Sequence, residues 1–261
     1  MSTRPQPVNT GATRLIVVGA SGRMGARLCQ IAHDEERFML VGAVERAGSG
    51  ALSRHAAVES TKGPAPKITD SAAVFAASCA DVVIDFSGNS GTLAAVDISR
   101  RVGASLLVGT TALEPATRDL LRAESRSRAV LLAPNTSLGV AALADLVRRA
   151  AALLKNYDCS LVESHHIHKK DAPSGTALRL ADAARNGGAQ LPDHQILAIR
   201  GGDVVGEHTL RFAGPGEYLE LTHRATSRDV FVRGALQAAA WLNGRAPGWW
   251  NMEDVLGLEA R

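Results

Sequence analysis

The chain has 261 residues, 46% of them hydrophobic and 21% charged, which excludes global disorder and leaves room for one large domain or two modest ones. Aromatics are only 4% and Ala, Val and Leu dominate, a core composition that suits α/β layers better than an aromatic-rich sandwich. A net charge of +3, from 29 Lys+Arg against 26 Asp+Glu, is too small to indicate nucleic acid and fits a local basic patch for an anionic metabolite equally well.

Residues 1–12 carry two prolines and Arg4 but no apolar stretch, so a frayed tail is expected there and no signal peptide. No run approaches the ~18 apolar residues of a membrane span. Cys29, Cys79 and Cys159 are far apart and show no metal-ligand spacing; they read as buried thiols of a cytoplasmic protein.

Leu15-Ile16-Val17-Val18 predicts a buried parallel strand, and Gly19-Ala20-Ser21-Gly22-Arg23-Met24-Gly25 follows it directly. A helix through Leu28 and Ile31 comes next, then a strand over 38–44 ending at Glu45-Arg46. Glycines at 19, 22 and 25 between strand and helix let backbone approach a pyrophosphate at the helix's positive end. The spacing is GxxGxxG, with Ser21 in the middle, and such a motif alone is weak evidence; a tight turn without a ligand is the bland alternative. Glu45 stands 20 positions after Gly25, where an acceptor for a ribose hydroxyl is expected. A carboxylate favours NAD and a guanidinium favours NADP, so Glu45 beside Arg46 predicts use of NADPH or NADH. Arg46 is equally consistent with an ordinary surface charge.

Residues 47–67 predict a loop. Strands over 82–86, 105–108 and 130–133 alternate with helices over 92–101 and 114–125. The alternation argues for βαβ units and a Rossmann-like, doubly wound parallel sheet. Gly109-Thr110-Thr111 and Ala133-Pro134-Asn135-Thr136 end two of these strands, on the edge where ligands of open α/β sheets bind.

From residue 138 the pattern changes to an α+β segment. It predicts a helix over 139–155, a strand over 159–163, a His-rich loop, a helix opening at Ser174, strands over 196–200, 204–212 and 218–223, and a helix over 229–242. His165, His166, His168, Lys169 and Lys170 put five basic groups in six positions. Buried together they would repel, so the pattern favours a surface facing an anion over a structural cluster. Metal binding is not expected, since neither H-E-x-x-H nor C-x-x-C is present. Ser174 is a helix N-cap candidate, and Gly175 and Thr176 bring N–H groups to the helix start, a site suited to a carboxylate. His165 and Lys169 are candidate proton donors. Together with a nicotinamide, these residues point to reduction of a C=N or conjugated C=C in a small multiply anionic substrate.

The run Glu163-Ser164-His165-His166-Ile167-His168-Lys169-Lys170-Asp171-Ala172-Pro173-Ser174-Gly175-Thr176-Ala177 resembles the E-x-H-H-x-x-K-x-D-A-P-S-G-T-A signature of the 4-hydroxy-tetrahydrodipicolinate reductases of lysine and diaminopimelate biosynthesis. The resemblance extends over residues 14–258, including Val83–Ser87, Val205–Thr209 and Thr222–Arg228. It implies NAD(P)H-dependent reduction of 4-hydroxy-tetrahydrodipicolinate to tetrahydrodipicolinate with loss of water. It assigns cofactor contacts to residues 19–24, 45, 46, 109–111 and 133–136, catalysis to His165 and Lys169, and substrate carboxylates to His166, Ser174, Gly175 and Thr176. It also implies a dinucleotide-binding domain over 13–137 plus 227–261, a substrate and oligomerisation domain over 138–226, hinges between them, and a homotetramer. The sequence departs from the family pattern at Thr136, where many members carry Phe, at Ile167 and Lys170, and in a shortened stretch before Gly201. A reductase of a different cyclic-imine dicarboxylate and a catalytically idle NAD(P)H-binding protein are the alternative readings; the intact His165, Lys169 and Ser174-Gly175-Thr176 set argues against the second.

Overall fold

A computed structural model describes residues 11–58, 60, 62–70 and 80–258. The tail expected at the N-terminus lies outside the described residues up to position 10, as does Cys79. The chain forms two compact units. One comprises the residues up to Thr136 and Val232–Val255; the other comprises Ser137–Phe231 and the stretch from Leu256.

The first unit is built on β1 (Thr13–Val18), α1 (Arg23–Asp34), β2 (Phe38–Val44), β3 (Ile68–Thr69), β4 (Val82–Asp85), α2 (Asn89–Val102), β5 (Ser105–Val108), α3 (Pro115–Glu124) and β6 (Ala129–Leu132), to which β11 (Gly248–Trp250) is added late in the chain. All seven strands lie in one sheet in the order β11-β6-β5-β4-β1-β2-β3, every pair parallel. Strand order reverses beside β1, the doubly wound arrangement, and its switch point lies at the carboxyl ends of β1 and β4. Leu15, Ile16 and Val17 are wholly buried, because a central parallel strand is covered on both faces. Each such side chain contributes about 1.5–3 kcal/mol by leaving water. Gly103 takes the left-handed conformation that ends α2 (φ 69°).

Two strands of this unit were not expected, nor was the short helix α7 (Met252–Val255) near its end. β3 is two residues long and β11 three, and each exists only by pairing with a stronger neighbour, β2 and β6 respectively. β11 is anchored by aromatic contacts: Trp250 meets Trp241 edge-on at 5.4 Å, and Arg122 lies 4.8 Å over Trp249.

The second unit holds α4 (Leu138–Leu153), β7 (Asp158–His165), α5 (Gly175–Asn186), β8 (Ile196–Arg200), β9 (Gly206–Gly214) and β10 (Glu217–Ala225). Its mixed sheet runs β10-β9-β7-β8, with β7 and β8 parallel and the other pairs antiparallel. Leu161, Leu210 and Phe212 on one face pack with Leu143, Val147, Leu180 and Ala184 of the two helices. The opposite face exposes Leu197, Ile199 and Tyr218. α6 (Asp229–Leu242) then leads back to the first unit, and α7 (Met252–Val255) follows β11. No helix among the described residues is long and apolar enough to cross a membrane.

Candidate active site

In the first unit, the glycine loop is shaped by contacts that admit no side chain. Gly19 has φ +79°, and a Cβ there would lie 2.7 Å from the Phe86 carbonyl oxygen; a Cβ on Gly25 would lie 2.0 Å from the Gly19 oxygen. The first glycine therefore makes the turn against β4's loop, and the third lets α1 close onto it. Most N–H groups of the loop are already used. Gly19 and Ala20 donate to the Val44 oxygen at 2.9 and 3.0 Å, Gly22 donates to Gly19 at 3.0 Å, and Ser21 donates to Glu45 at 3.1 Å. Gly22 caps α1 without a side-chain acceptor. Within the predicted 19–24 segment, the donors left at the helix's positive end are those of Arg23 and Met24, where an anion is held best.

Glu45 accepts from the Ser21 hydroxyl at 2.6 Å and from Arg46 N–H at 3.0 Å. Burial pushes its carboxyl up, but the bonds from Ser21 and Arg46 outweigh this and hold it below the usual range. Arg46 itself is exposed.

The 109–111 turn is tied to a buried carboxylate. Asp85, at the end of β4, is fully buried. It accepts from Thr92 Oγ1 at 2.6 Å, Thr110 Oγ1 at 2.8 Å and Ser87 N–H at 3.1 Å, and from the Ser87 hydroxyl. Burial pushes its carboxyl up against these bonds. Thr110 therefore has its hydroxyl turned inward, and Thr111 is the exposed member of the turn. A Cβ on Gly109 would overlap the Phe86 ring at 2.1 Å. In the 133–136 turn, Ala133 N–H bonds the Val108 oxygen at 2.9 Å, Pro134 is exposed, Asn135 is half-buried and Thr136 is buried.

In the second unit, strand parity assembles the chemistry. The strand expected to stop at Glu163 continues to His165, because β8 pairs with it through His165–Arg200 and Gly201 N–H then bonds the His165 oxygen at 2.9 Å. Glu163 and His165 therefore lie on one face, two residues apart. Arg200 is opposite His165 on β8, and His208 is opposite Glu163 on β9. His165 is thus buried on a strand and not part of an exposed basic loop. His166 is half-buried, while His168 and Lys170 are exposed. The expected repulsion is relieved by dividing the cations between these environments.

Glu163 is completely buried and saturated. It takes Arg200 Nη1 at 3.0 Å, Arg200 Nη2 at 2.8 Å, Ser174 N–H at 3.1 Å and His165 Nδ1. Burial pushes its carboxyl up, but Arg200 and His165 more than offset this and keep it ionised. Burial also pushes the His165 imidazole below its usual value, helped by the charges of Lys169 and Arg200 and opposed by Glu163. Lys169 pairs with Asp171 at 2.9 Å. Arg200, Glu163 and His208 were not identified from the sequence as site residues. The alternation Cys159, Leu161, Glu163, His165, carried two positions further, is the signal that would have placed the first partner.

Ser174 caps α5 by accepting from Ala177 N–H at 3.2 Å. The same hydroxyl makes a hydrogen bond with His208 Nε2, 3.2 Å away. Ser174 is buried, so it builds the helix start instead of offering its own hydroxyl, while Gly175 is exposed with open space where a Cβ would be. A parallel arrangement occurs one strand over. Ser137 caps α4 through Val140 N–H at 3.3 Å and lies 3.3 Å from His223 Nε2, and His223 is the cross-strand partner of His208.

Glu163, His165 and His208 place ligand-type atoms within 4.8 Å of one another, but this donor set does not fit a dication. Both Glu163 oxygens are held by Arg200, and a cation there would meet the Arg200 charge directly.

Burial lowers the His208 imidazole to about 4, and His165 and His223 move in the same direction. Between about 6.5, the unfolded value, and about 4, the unfolded chain binds more protons than the native one, so stability falls as pH falls through this window. Thermal melts should show that decline, and His208→Asn should make it shallower. An unchanged slope in the variant would remove His208 from this account.

Comparison with known proteins covers both units. The family described as dihydrodipicolinate reductase, N-terminus matches residues 13–136, and its C-terminal counterpart matches residues 139–256. A 4-hydroxy-tetrahydrodipicolinate reductase of Stenotrophomonas maltophilia (strain R551-3) is 45% identical over 258 residues, covering 95% of this chain and all of the relative. One from Anaeromyxobacter dehalogenans (strain 2CP-C) is 41% identical over 265 residues, covering 94% and 98%. The fold is also that of a dipicolinate-bound dihydrodipicolinate reductase from Paenisporosarcina sp. TG-14, with TM-score 0.75 at 19% identity, covering 92% of this chain and 97% of that one. With both units matched end to end, this chain belongs to the dihydrodipicolinate reductase family.

Proposed function

We propose that this chain reduces 4-hydroxy-tetrahydrodipicolinate to tetrahydrodipicolinate. One hydride and one proton enter and one water leaves. The observation that carries the reading is the full-length match to reductases of that name, in a chain that keeps His165, Lys169 and the capped α5 start together in one unit.

The first unit fits a dinucleotide. Its loop excludes side chains at Gly19 and Gly25, its first helix opens on a cap without a side-chain acceptor, and Glu45 stands at the end of β2. NADH or NADPH, when bound, supplies the hydride. Arg23 and Met24 N–H groups would hold its pyrophosphate, and Glu45 and Arg46 its adenosine ribose. Gly109–Thr111 and Ala133–Thr136 would flank the nicotinamide end.

In the second unit, Gly175 and Thr176 at the start of α5 and the His166 side chain would hold the substrate carboxylates. An ionised Glu163 accepts only, so His165 carries its proton on Nδ1 and exposes the Nε2 lone pair to the site. A dicarboxylate bound nearby favours the imidazolium, which then gives its Nε2 proton to the enamine carbon, with the Lys169 ammonium supporting the transfer. The uncovered sheet face with Leu197, Ile199 and Tyr218 suits contact with further copies of the chain, as in a homotetramer.

Aspartate semialdehyde and pyruvate, supplied with the upstream synthase, should lead to oxidation of NADPH and NADH by this chain. Binding of a nucleotide with oxidation of neither would favour an idle nucleotide-binding protein.

A further inference from the structure

Arg200 stands at the end of β8, in register with His165 on β7. Its guanidinium is used on every side. Nη1 and Nη2 form a fork on the two oxygens of Glu163, at 3.0 and 2.8 Å. Nε donates to the Lys169 carbonyl at 3.2 Å, Nη2 also donates to the Asp171 carbonyl, and Nη1 donates to Ile199 at 2.7 Å. Glu163 in turn holds His165 Nδ1 and the Ser174 N–H that opens α5. One side chain therefore reaches the imidazole through a carboxylate, and reaches the backbone of both members of the Lys169–Asp171 ion pair directly.

We propose that Arg200 is a positioning residue that fixes the proton-bearing nitrogen of His165 and the placement of Lys169 through a single contact network. The inference rests on the reading of His165 and Lys169 as the groups that handle the proton. Its physical basis is that an ionised carboxylate accepts and never donates. While Arg200 keeps Glu163 ionised, Nδ1 must carry the hydrogen, and Nε2 is the atom left for exchange. Nε2 lies 3.0 Å from where a Cβ of residue 206 would be, so the glycine at that position leaves room beside it. Lysine cannot take over this task. An ammonium is a point charge without the planar fork that spans two carboxylate oxygens and still reaches two carbonyls.

The test uses the full chain with Arg200→Lys and Arg200→Gln. Melting curves and nucleotide binding establish that each is folded. Steady-state kinetics and a nitrogen-15 NMR titration of His165 without ligands are the readouts. Arg200→Lys should lower kcat by about 10²-fold, the scale expected when a reacting group is displaced by about 1 Å, with KM changed by less than ~3-fold. Arg200→Gln should in addition move the His165 titration to higher pH, because a positive charge that disfavours the imidazolium has gone while Glu163 remains. If Arg200→Gln fails to fold, Arg200→Lys alone decides through the split between a lowered kcat and an unchanged KM. Folded variants with native kcat, or an Arg200→Gln variant with lowered kcat and an unmoved His165 titration, would overturn the proposal. An inactive wild-type chain would instead overturn the reductase reading, and the titration would still decide the role of Arg200.

Discussion

Alanine in place of Lys169 should lower turnover by about 10²-fold or more, the usual scale for loss of a general acid–base group. The ammonium is the cation of the 166–171 loop held by a carboxylate, that of Asp171, at 2.9 Å. Its own backbone stays anchored without the side chain, since Lys169 N–H bonds the His166 oxygen at 3.1 Å and the Lys169 carbonyl takes Arg200. The ion pair is solvent-exposed on the Asp171 side, so its loss should change stability by less than about 1 kcal/mol. Activity and stability should therefore separate in this variant. Steady-state kinetics beside a melting curve checks both, and essentially native turnover would remove Lys169 from the chemistry.

The largest effect on stability should come from Glu163→Ala. It leaves the Arg200 guanidinium, the His165 Nδ1 hydrogen and the Ser174 N–H without their shared acceptor in a fully buried position. Breaking a buried ion pair by removing one partner costs about 3–5 kcal/mol. Denaturant unfolding should show the second unit losing that much. Glu163→Gln should lose less, because the amide keeps the volume and one acceptor oxygen. Equal midpoints for wild type and Glu163→Ala would show that the pair is not the tie that its geometry suggests.

Much of the fold was legible because its strands are buried on both faces and so appear as continuous apolar runs. Leu15–Val18, Val82–Asp85 and Ser105–Val108 are of this kind. The caps were legible where chemistry is local: Gly19 and Gly25 for a turn without side chains, and Ser174 for a helix start. Ile68–Thr69 and Gly248–Trp250 were not, because strands of two and three residues have no periodicity of their own and exist through their partners. The candidate site divides the same way. His165, Lys169 and Ser174 stand out as residue types in one segment. Arg200 and His208 are 35 and 43 positions beyond His165 and come to it only through the register of β7 with β8 and β9. Asp85 was hidden for a different reason: a carboxylate inside an apolar strand is noticeable only when Ser87, Thr92 and Thr110 are known to surround it.

The facing pair His208 and His223 acts on the ladder that carries it. One rung of the β9–β10 hairpin meets the starting serines of both helices, Ser174 and Ser137. A slip of one residue would turn both imidazoles to the other side of the sheet and leave the two serines without them together. A misaligned hairpin thus loses two distant contacts at once, so the rung serves as a parity check on assembly: the correct alignment is the one in which both helices find their starting points on the same pair of residues.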